Sequence, residues 1–450
     1  MNRSSILNRI LSTSLVLCLV ISPLAHAEDA VSLREVFPVD YAYHVSTRVE
    51  LTGSLSLSAE KDKPAKKPLS VKGESAIDYD ERVLALADGE VQKTARIYRR
   101  IDFQRKIGEQ TQSNTLRPGV RRLVVLRLKN QEVPFSPDGP LLWNEIDLVR
   151  TDVFTPALAG MLPTKTVQPA ERWTATNLAI QELTDLEKIE EGRVECKLEE
   201  ITTIEKRRYA RVSFAGTVRG VNEDGPNRQQ LDGYFFFDME SNHLSYMSLK
   251  GISFLLDKDG KEMGRIEGRF TLTRQLTPTV KELSEETLKG VALEPNADTT
   301  QLLYDNSELG VRFLYPRRWR VSIARGRQID LADAATGNGL RLTLEPPAEV
   351  PTANQFLTES RDWLQQQQKT KIQHADAPRR LQNAPQELDQ FALEVEMGTE
   401  RLWMDYYVLR QSAGGATLAA RLLPAELATA RKDVERVARS VVIRGVGLKK

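Results

Sequence analysis

Few of the side chains that usually perform catalysis or bind metals occur in this chain. Only four of the 450 residues are His and two are Cys. His44, His243 and His374 are far apart in the sequence, and none has a second His or Cys at ligand spacing. The HExxH, CxxC and GxSxG motifs are missing as well. The sequence therefore predicts no catalytic residue, no metal site and no cofactor.

Cys196 is the one cysteine that follows the N-terminal apolar segment, so no intrachain disulfide is expected once that segment is removed. In EGRVECKLEEI, alternation places Val194, Cys196 and Leu198 on one face of a predicted strand. A thiol on the buried face of a strand usually contributes only packing. We therefore predict that Cys196 is buried and unreactive.

Two glycine-containing segments resemble ion-binding or phosphate-binding loops. DKDGKE has Asp257 and Asp259 ahead of Gly260, as at the start of a calcium loop, but it lacks the remaining ligands. ATGNGLRL has Gly337 and Gly339, but no helix is predicted after them to bind a phosphate. Each segment is therefore predicted to be a turn.

Basic residues are concentrated on two predicted neighbouring strands. They are Arg96, Arg99, Arg100, Arg105, Lys106, Arg121, Arg122, Arg127 and Lys129. One interpretation is a cationic stripe that binds polysaccharide or lipid headgroups. The interpretation we favour is a solvated face, neutralised by the acidic residues Asp78, Asp80, Glu81, Asp102 and Glu109.

The N-terminal segment has the order of a secretory signal peptide. Arg3 and Arg9 precede an apolar run over residues 10–24, and Ala25-His26-Ala27 follows. We predict a signal peptide over residues 1–27, a periplasmic or secreted location, and no transmembrane segment in the remaining chain. With 63 basic and 62 acidic residues the chain is nearly neutral, so we expect no nucleic-acid partner.

Residues 28–277 are predicted to form an antiparallel β-rich domain. In YAYHVSTRVELTGSLSL, apolar residues alternate with polar ones such as His44 and Arg48. A period of two over this length indicates a strand with one face in solvent. Further runs of the same kind, separated by turn residues, predict a long curved sheet or half-barrel.

The alternating pattern breaks between Phe135 and Thr174, where prolines separate apolar clusters. A short helix is predicted over residues 141–151. The whole segment is expected either to pack on the concave face of the sheet or to join two sheets. The polar stretch 278–300 is predicted to be a linker with one helical turn at Ser284.

Residues 301–450 have a mixed pattern that predicts a smaller α+β sandwich. Short strands come first, and the Thr352-x-x-Gln355 capping box then begins a helix with an apolar face that includes Trp363. Longer strands follow, and a final helix begins near Pro424. A meander covered by two helices is a compact sandwich, so the fold class predicted for the chain is α+β.

The stretch GVRFLYPRRWRV, residues 310–321, is the most distinctive part of this region. Proline ends the ladder of the preceding strand and Trp319 can cover the edge of a sandwich, so the corner is expected to serve the fold. The order strand, YPxxW, strand, hairpin, capped helix and terminal helix resembles the Mog1/PsbP-like superfamily, which includes DcrB-type periplasmic proteins. The resemblance covers about residues 304–444. It implies a non-catalytic scaffold or binding domain.

The N-terminal two-thirds resembles uncharacterised secreted proteins of Planctomycetes type, and its long meander is similar to the half-barrel of LolA-like lipoprotein carriers. Our leading hypothesis is a secreted, non-enzymatic binding or scaffold protein of the periplasm or cell envelope, whose partner is an unknown protein or envelope component. The residues that would line a carrier's cavity are Tyr41, Tyr43, Phe235 and Phe237. Such a carrier of an apolar ligand is the first alternative, and a hydrolase with an unrecognised carboxylate pair is the second.

Overall fold

A computed structural model describes residues 30–56, 67–128, 131–366 and 370–444. The predicted signal peptide, residues 1–27, lies outside the described residues. The described chain is α+β, with long antiparallel strands and a few helices, which confirms the predicted fold class. No helix in these residues is long and apolar enough to cross a membrane.

The elements are numbered in chain order. The strands before residue 300 are β1 (Ala42–Leu55), β2 (Leu69–Ala87), β3 (Glu90–Ile107), β4 (Gln110–Thr115), β5 (Arg122–Leu128), β6 (Gln131–Phe135), β7 (Leu141–Leu142), β8 (Arg172–Thr174), β9 (Lys188–Ile204), β10 (Arg207–Asn222), β11 (Gly225–Asp238), β12 (His243–Leu256) and β13 (Glu262–Leu276). The later strands are β14 (Leu302–Asn306), β15 (Val311–Tyr315), β16 (Arg320–Arg325), β17 (Gln328–Asp333), β18 (Asn338–Glu345), β19 (Lys371–Ala375), β20 (Arg379–Arg380), β21 (Glu387–Met397), β22 (Glu400–Gln411), β23 (Gly414–Leu422) and β24 (Val442–Ile443). The helices are α1 (Trp143–Arg150), α2 (Asn177–Thr184), α3 (Glu285–Leu288), α4 (Ala353–Gln366) and α5 (Leu427–Ser440).

Twelve of the described strands form one antiparallel sheet in the order β6-β5-β3-β2-β1-β13-β12-β11-β10-β9-β8, with β4 beside β3. The pairing of β1 with β13 joins the strands before the pattern break to those after it. Alternation along β1 is as predicted, because Tyr43 and Val45 are fully buried whereas Arg48 is exposed. The two runs of strands therefore belong to one sheet, and the segment between them also contributes β7 to a small separate sheet.

Residues 141–184, which we call the insertion, pack on the inner face of this sheet. They contain β7, α1, a 3-10 helix at Thr155–Met161, β8 and α2. Buried residues of the insertion, including Ile146 and Leu158, belong to the same apolar core as Phe235 of the sheet. Helix α1 confirms the predicted helix, whereas α2, which begins after the N-cap residue Thr176, was not predicted.

Eight of the described strands after residue 300 form a second antiparallel sheet, in the order β16-β17-β18-β23-β22-β21-β19 with β20 beside β21. Helix α4 begins at the predicted capping box, because the backbone N–H of Gln355 donates to Thr352 Oγ1 at 3.2 Å. Its Leu364 packs on one face of the sheet, whereas Val434 of α5 packs on the other. The two helices therefore cover opposite faces.

A small third sheet, β24-β15-β14-β7, links the two regions of the chain. Its strand β7 belongs to the insertion and pairs in parallel with β14, with Leu141 opposite Leu302. The stretch 278–300 contains the predicted helical turn as α3, after the N-cap residue Ser284. It lies along β2 and β3, where Leu283 is buried. The division into domains at residues 277 and 301 stays a prediction.

The Pro-Arg-Arg-Trp corner between β15 and β16 contacts both regions of the chain. Trp319 is only 2% exposed, as expected of a residue that serves the fold. Arg318 donates to Asp433 of α5 at 2.9 Å, within the C-terminal region. The Arg317 guanidinium donates to the carbonyl oxygens of Thr300 and of Pro134 in β6.

Arg320, the first residue of β16 and the residue after Trp319, contacts the insertion. The guanidinium carbon of Arg320 lies 3.6 Å from the centre of the Trp143 ring in α1. The corner therefore joins the C-terminal strands to β6 and to the insertion.

Arg317 provides a test of this junction. Burial, with a smaller contribution from Arg150, lowers the pKa of Arg317 to about 10. Arg317→Ala leaves two carbonyl oxygens without their donor, and we expect the free energy of unfolding to fall by about 2–3 kcal/mol, measured by chemical denaturation. The exposed Arg325, at the end of β16, is the control, and Arg325→Ala should change stability by less than about 0.5 kcal/mol. Equal losses in the two variants would show that Arg317 has no special role.

Candidate functional site

A groove of about 660 Å³ lies between α4 and the part of the second sheet that α4 leaves uncovered. Its floor contains the small residues Ala332, Gly339 and Ala419, from β17, β18 and β23. Trp363 and Phe356 of α4 form one wall. Volumes of this size are typical of ligand-binding clefts.

The groove follows from the way in which α4 packs. Phe356 contacts Phe391 and Tyr406 edge-to-face, with ring centres 5.8 and 5.4 Å apart, which holds α4 over β21 and β22. The neighbouring strands β17 and β18 carry Ala332 and Gly339 on the same face, so space is left beside the helix. Trp363 was predicted on the apolar face of α4 but is 51% exposed, because it overhangs this open part of the sheet.

The groove is apolar at one side and charged at the other. Arg341 forms a double hydrogen bond with Asp330, 2.8 Å for each N···O pair, and this contact lowers the pKa of Asp330. Arg421 donates to the Gly337 carbonyl oxygen at 3.2 Å. Both arginine side chains remain about half exposed, so their outer N–H groups are accessible to a bound acidic group.

A second group of chemically interesting side chains lies towards the β6 edge of the large sheet, on β2, β3, β5 and β6. We call it the carboxylate cluster, and it consists of Glu81, Glu132, Asp152 and Glu182 with the guanidinium groups of Arg96 and Arg127. Arg96 Nε lies 2.7 Å from Glu81 Oε1, and Arg96 Nη1 lies 3.0 Å from Asp152 Oδ2. Tyr98 OH donates to the same Asp152 oxygen at 3.2 Å. Arg96 thus joins β2 and β3 of the sheet to the insertion.

The other half of the carboxylate cluster is arranged around Arg127. Its Nη1 atom lies 3.1 Å from Glu182 Oε2 of α2 and 3.6 Å from Glu132 Oε1 of β6. The second oxygen of Glu182 accepts a hydrogen bond of 2.6 Å from the Phe154 amide. The Phe154 ring lies between the two guanidinium groups, 4.7 Å from that of Arg127 and 5.8 Å from that of Arg96.

Two members of the cluster hold their protons unusually tightly. Burial, together with Glu81, raises the pKa of Asp152 to about 7 even though Arg96 opposes the shift. Burial and the neighbouring Glu182 raise the pKa of Glu132 to about 7. The physical cause is the same in both cases, because a carboxylate removed from water, near other carboxylates, favours its neutral form.

Converging carboxylates with raised pKa values are the feature that a hydrolase would require. The side chains of Glu81 and Asp152 are fully buried, and Asp152 already accepts hydrogen bonds from Arg96 and Tyr98. A substrate cannot reach these atoms while the insertion covers them. The arrangement is therefore that of a structural ion-pair network, whereas the groove beside α4 is open to a ligand.

The basic residues of the two neighbouring strands do not share one face, and Lys129 lies outside the described residues. Arg96 points into the core, whereas Arg99 and Arg100 are exposed. The register of β2 with β3 shifts between Asp78 and Tyr79, and the resulting bulge puts two consecutive arginines on the outer face. The exposed ones form ion pairs, as in the interpretation of a solvated face: Arg99 with Asp80 at 2.8 Å and Arg100 with Asp102 at 2.7 Å. The signal in the sequence was the Tyr-Arg-Arg-Ile order, which breaks strict alternation.

The histidines are not brought together. His44 lies 2.9 Å from Asp80, and His374 lies 3.1 Å from Asp376. His243 is buried, and burial and Arg274 lower its pKa. In the described ranges no three His, Cys, Asp or Glu side chains are arranged to hold a metal ion.

Cys196 and the two glycine-containing segments have the local structures that were predicted. Cys196 is fully buried, and burial raises its pKa to about 12. Asp257 accepts hydrogen bonds of 2.9 Å from the amides of Asp259 and Lys261, which closes the turn between β12 and β13. Gly337 lies in the turn between β17 and β18.

The aromatic residues proposed to line a carrier cavity lie mainly in the core. Tyr43, Phe235 and Phe237 are fully buried in the apolar cluster that includes the insertion. Thr155 of the insertion donates to Tyr43 OH at 3.1 Å. These side chains therefore pack against protein atoms.

No family model and no curated protein matches this chain. Among solved structures, the cyanobacterial PsbP from Synechocystis matches at 16% identity and a TM-score of 0.26, over 32% of this chain and 92% of that one. The Ran-binding protein Mog1p from Saccharomyces cerevisiae matches at 8% identity and a TM-score of 0.26, over 33% of this chain and 97% of that one. Lipovitellin matches at 11% identity and a TM-score of 0.31, over 54% of this chain and 26% of that one.

PsbP and Mog1 belong to the fold family that residues 304–444 resemble, and each match covers about a third of this chain. At such TM-scores the likeness carries no argument about function. The resemblances to Planctomycetes-type proteins and to LolA-like carriers stay predictions.

The raised pKa of Asp152 predicts a specific dependence of stability on pH. An unfolded Asp titrates near about 4, so the folded protein binds this proton more tightly than the unfolded chain does. The stabilisation is fully present below about pH 4 and is lost as the pH rises through about 7. Asp152→Asn removes this titration. The free energy of unfolding of the variant, relative to that of the wild type, should therefore increase between about pH 4 and about pH 7.

Chemical denaturation at intervals across this range measures the effect. Asp232→Asn on β11 is the matched control, because Asp232 is exposed, and its stability profile should parallel that of the wild type. A profile for Asp152→Asn that also parallels the wild type would contradict the prediction.

Proposed function

We propose that this protein is a non-enzymatic binding protein of the periplasm or cell envelope, and that the groove beside α4 binds a segment of a protein partner. The observation that carries the proposal is the groove itself, which is lined by the half-exposed Trp363 together with Arg341 and Arg421. An exposed Trp next to arginines is a composition typical of protein-binding surfaces.

The groove favours an acidic peptide that carries a large apolar side chain. Phe356, Trp363 and Met404 provide an apolar wall for that side chain, and the flexible Met can adapt to its shape. Arg341 and Arg421 present N–H groups to a carboxylate. Asp330 and Glu359 also line the groove, so the acidic group should bind on the arginine side.

The location outside the cytoplasm rests on the N-terminal sequence. Arg3, Arg9, the apolar run and the Ala25-His26-Ala27 sequence are the features that support export. The non-enzymatic role is supported by the closed position of Asp152 beneath the insertion and by the separation of the histidines.

Selection of peptides from a random displayed library on the purified secreted chain tests the proposal. The selected peptides should share an aromatic residue or Leu near an Asp or Glu. Trp363→Ala should weaken their binding by about tenfold or more, because a central Trp in an interface typically contributes about 2 kcal/mol. Arg341→Glu should weaken binding of acidic peptides, measured by calorimetry.

Arg361→Ala is the control on the same helix, because Arg361 is exposed and does not line the groove. It should leave the affinity unchanged. Selected peptides that bind wild type and Trp363→Ala equally well would place the binding surface elsewhere and refute the proposal for this groove.

A further inference from the structure

The carboxylate cluster contains more acidic than basic groups. Its four carboxylates face two guanidinium groups, so it is two positive charges short when every acid is ionised. The titratable and charged groups that surround it are Tyr43 of β1, Tyr79 and Glu81 of β2, Arg96 and Tyr98 of β3, Arg127 of β5, Glu132 of β6, Asp152 after α1, Glu182 of α2 and, beyond Tyr43, Arg274 of β13 with Glu35. The tyrosines remain neutral in this range because burial raises their pKa values.

Hydrogen bonds within the cluster do not compensate this deficit. Arg96 Nη2 and Glu132 Oε1 are buried atoms without a hydrogen-bond partner in the described part of the chain. Excess negative charge in such surroundings is costly unless it is neutralised or hydrated. A proton on one or two of the acids neutralises it, and the burial that raises the pKa of Asp152 and Glu132 favours that outcome.

The same side chains hold the insertion on the sheet. Asp152 follows α1 and is bound by Arg96 and Tyr98 of β3. Glu182 of α2 contacts Arg127 of β5 and accepts the Phe154 amide. Loss of these contacts would leave the start of the 3-10 helix held mainly by apolar packing.

We propose that the carboxylate cluster is a proton-operated latch. It keeps residues 148–161 packed on the sheet while its acids are protonated, and it releases these residues when the acids lose their protons. Full ionisation places four negative charges around Arg96 and Arg127. Water is needed to stabilise the excess charge, and it can reach the fully buried Glu81 and Asp152 only if the covering segment opens. Residues 148–161 should therefore open as the pH rises.

Opening would also reach the C-terminal region. Strand β7 and the first part of α1 precede the released segment, which begins within α1 at residue 148. They contact that region through the pairing of Leu141 with Leu302 and through the stacking of Arg320 on Trp143. A change in the position of the insertion would therefore alter its contacts with β14 and with Arg320. This proposal does not depend on a ligand in the groove beside α4.

Hydrogen exchange measured by mass spectrometry on the full secreted chain tests the latch. Protection factors, corrected for the intrinsic effect of pH on exchange, are compared at about pH 6 and about pH 8. We expect protection of residues 148–161 to fall by about tenfold or more relative to α5, which packs on the other sheet. Equal relative protection at the two pH values overturns the proposal.

The double variant Glu132→Gln with Asp152→Asn makes the test specific. It leaves two carboxylates for two guanidinium groups, so the segment should stay protected at about pH 8. Asp232→Asn with Glu191→Gln neutralises two exposed acids and should behave as wild type. Opening of the Glu132 and Asp152 variant to the wild-type extent would also overturn the proposal. If that variant does not fold, the wild-type comparison alone decides.

Discussion

The hydrogen bonds of Asp152 with Arg96 and Tyr98 are the contacts on which the assembly of this protein depends. Arg96 lies on β3, the third strand from one edge of the large sheet, and also binds Glu81, whereas Asp152 belongs to the insertion that covers the inner face. Removing Arg96 would leave Glu81 buried without a compensating positive charge, which typically costs about 3–5 kcal/mol. The insertion must therefore be seated for the sheet to keep Arg96 away from water.

The position of the insertion decides how the two regions of the chain meet. Its first residues form β7, which extends a small sheet of C-terminal strands, and Trp143 supports Arg320 from the Pro-Arg-Arg-Trp corner. Arg317 of the same corner binds the backbone carbonyl oxygens of Pro134 in β6 and of Thr300 at the end of the stretch 278–300. These contacts are polar or aromatic and depend on direction, so they fix the orientation of the C-terminal strands relative to the insertion as well as holding the two together.

The two candidate sites differ in a way that bears on function. The carboxylate cluster has the perturbed acids that often mark catalysis, but it is closed, and ion-pair networks with a structural role also perturb pKa values. The groove beside α4 is open and is lined by the half-exposed Trp363. Because the groove is accessible, it is the better candidate for binding a ligand. Because the cluster is closed, its acids are better suited to making the conformation depend on pH.

The sequence by itself determined the local features of this protein. Alternation predicted the long strands, the Thr352 and Gln355 pair predicted the start of α4, and Asp257 and Gly260 predicted a turn, because each depends on hydrogen bonds or side-chain periodicity within a few residues. The buried position of Cys196 also followed from alternation. Export remains a sequence-based prediction.

Only the tertiary structure decided where the charged groups lie and which surface is open. Arg96 faces the core because a bulge between β2 and β3 reverses the expected side, and its partner Asp152 comes from a segment more than fifty residues away. The groove exists because α4 covers one part of its sheet and not the part that carries Ala332 and Gly339. These are contacts between distant segments, and their energies depend on burial and distance, which spacing along the chain does not specify.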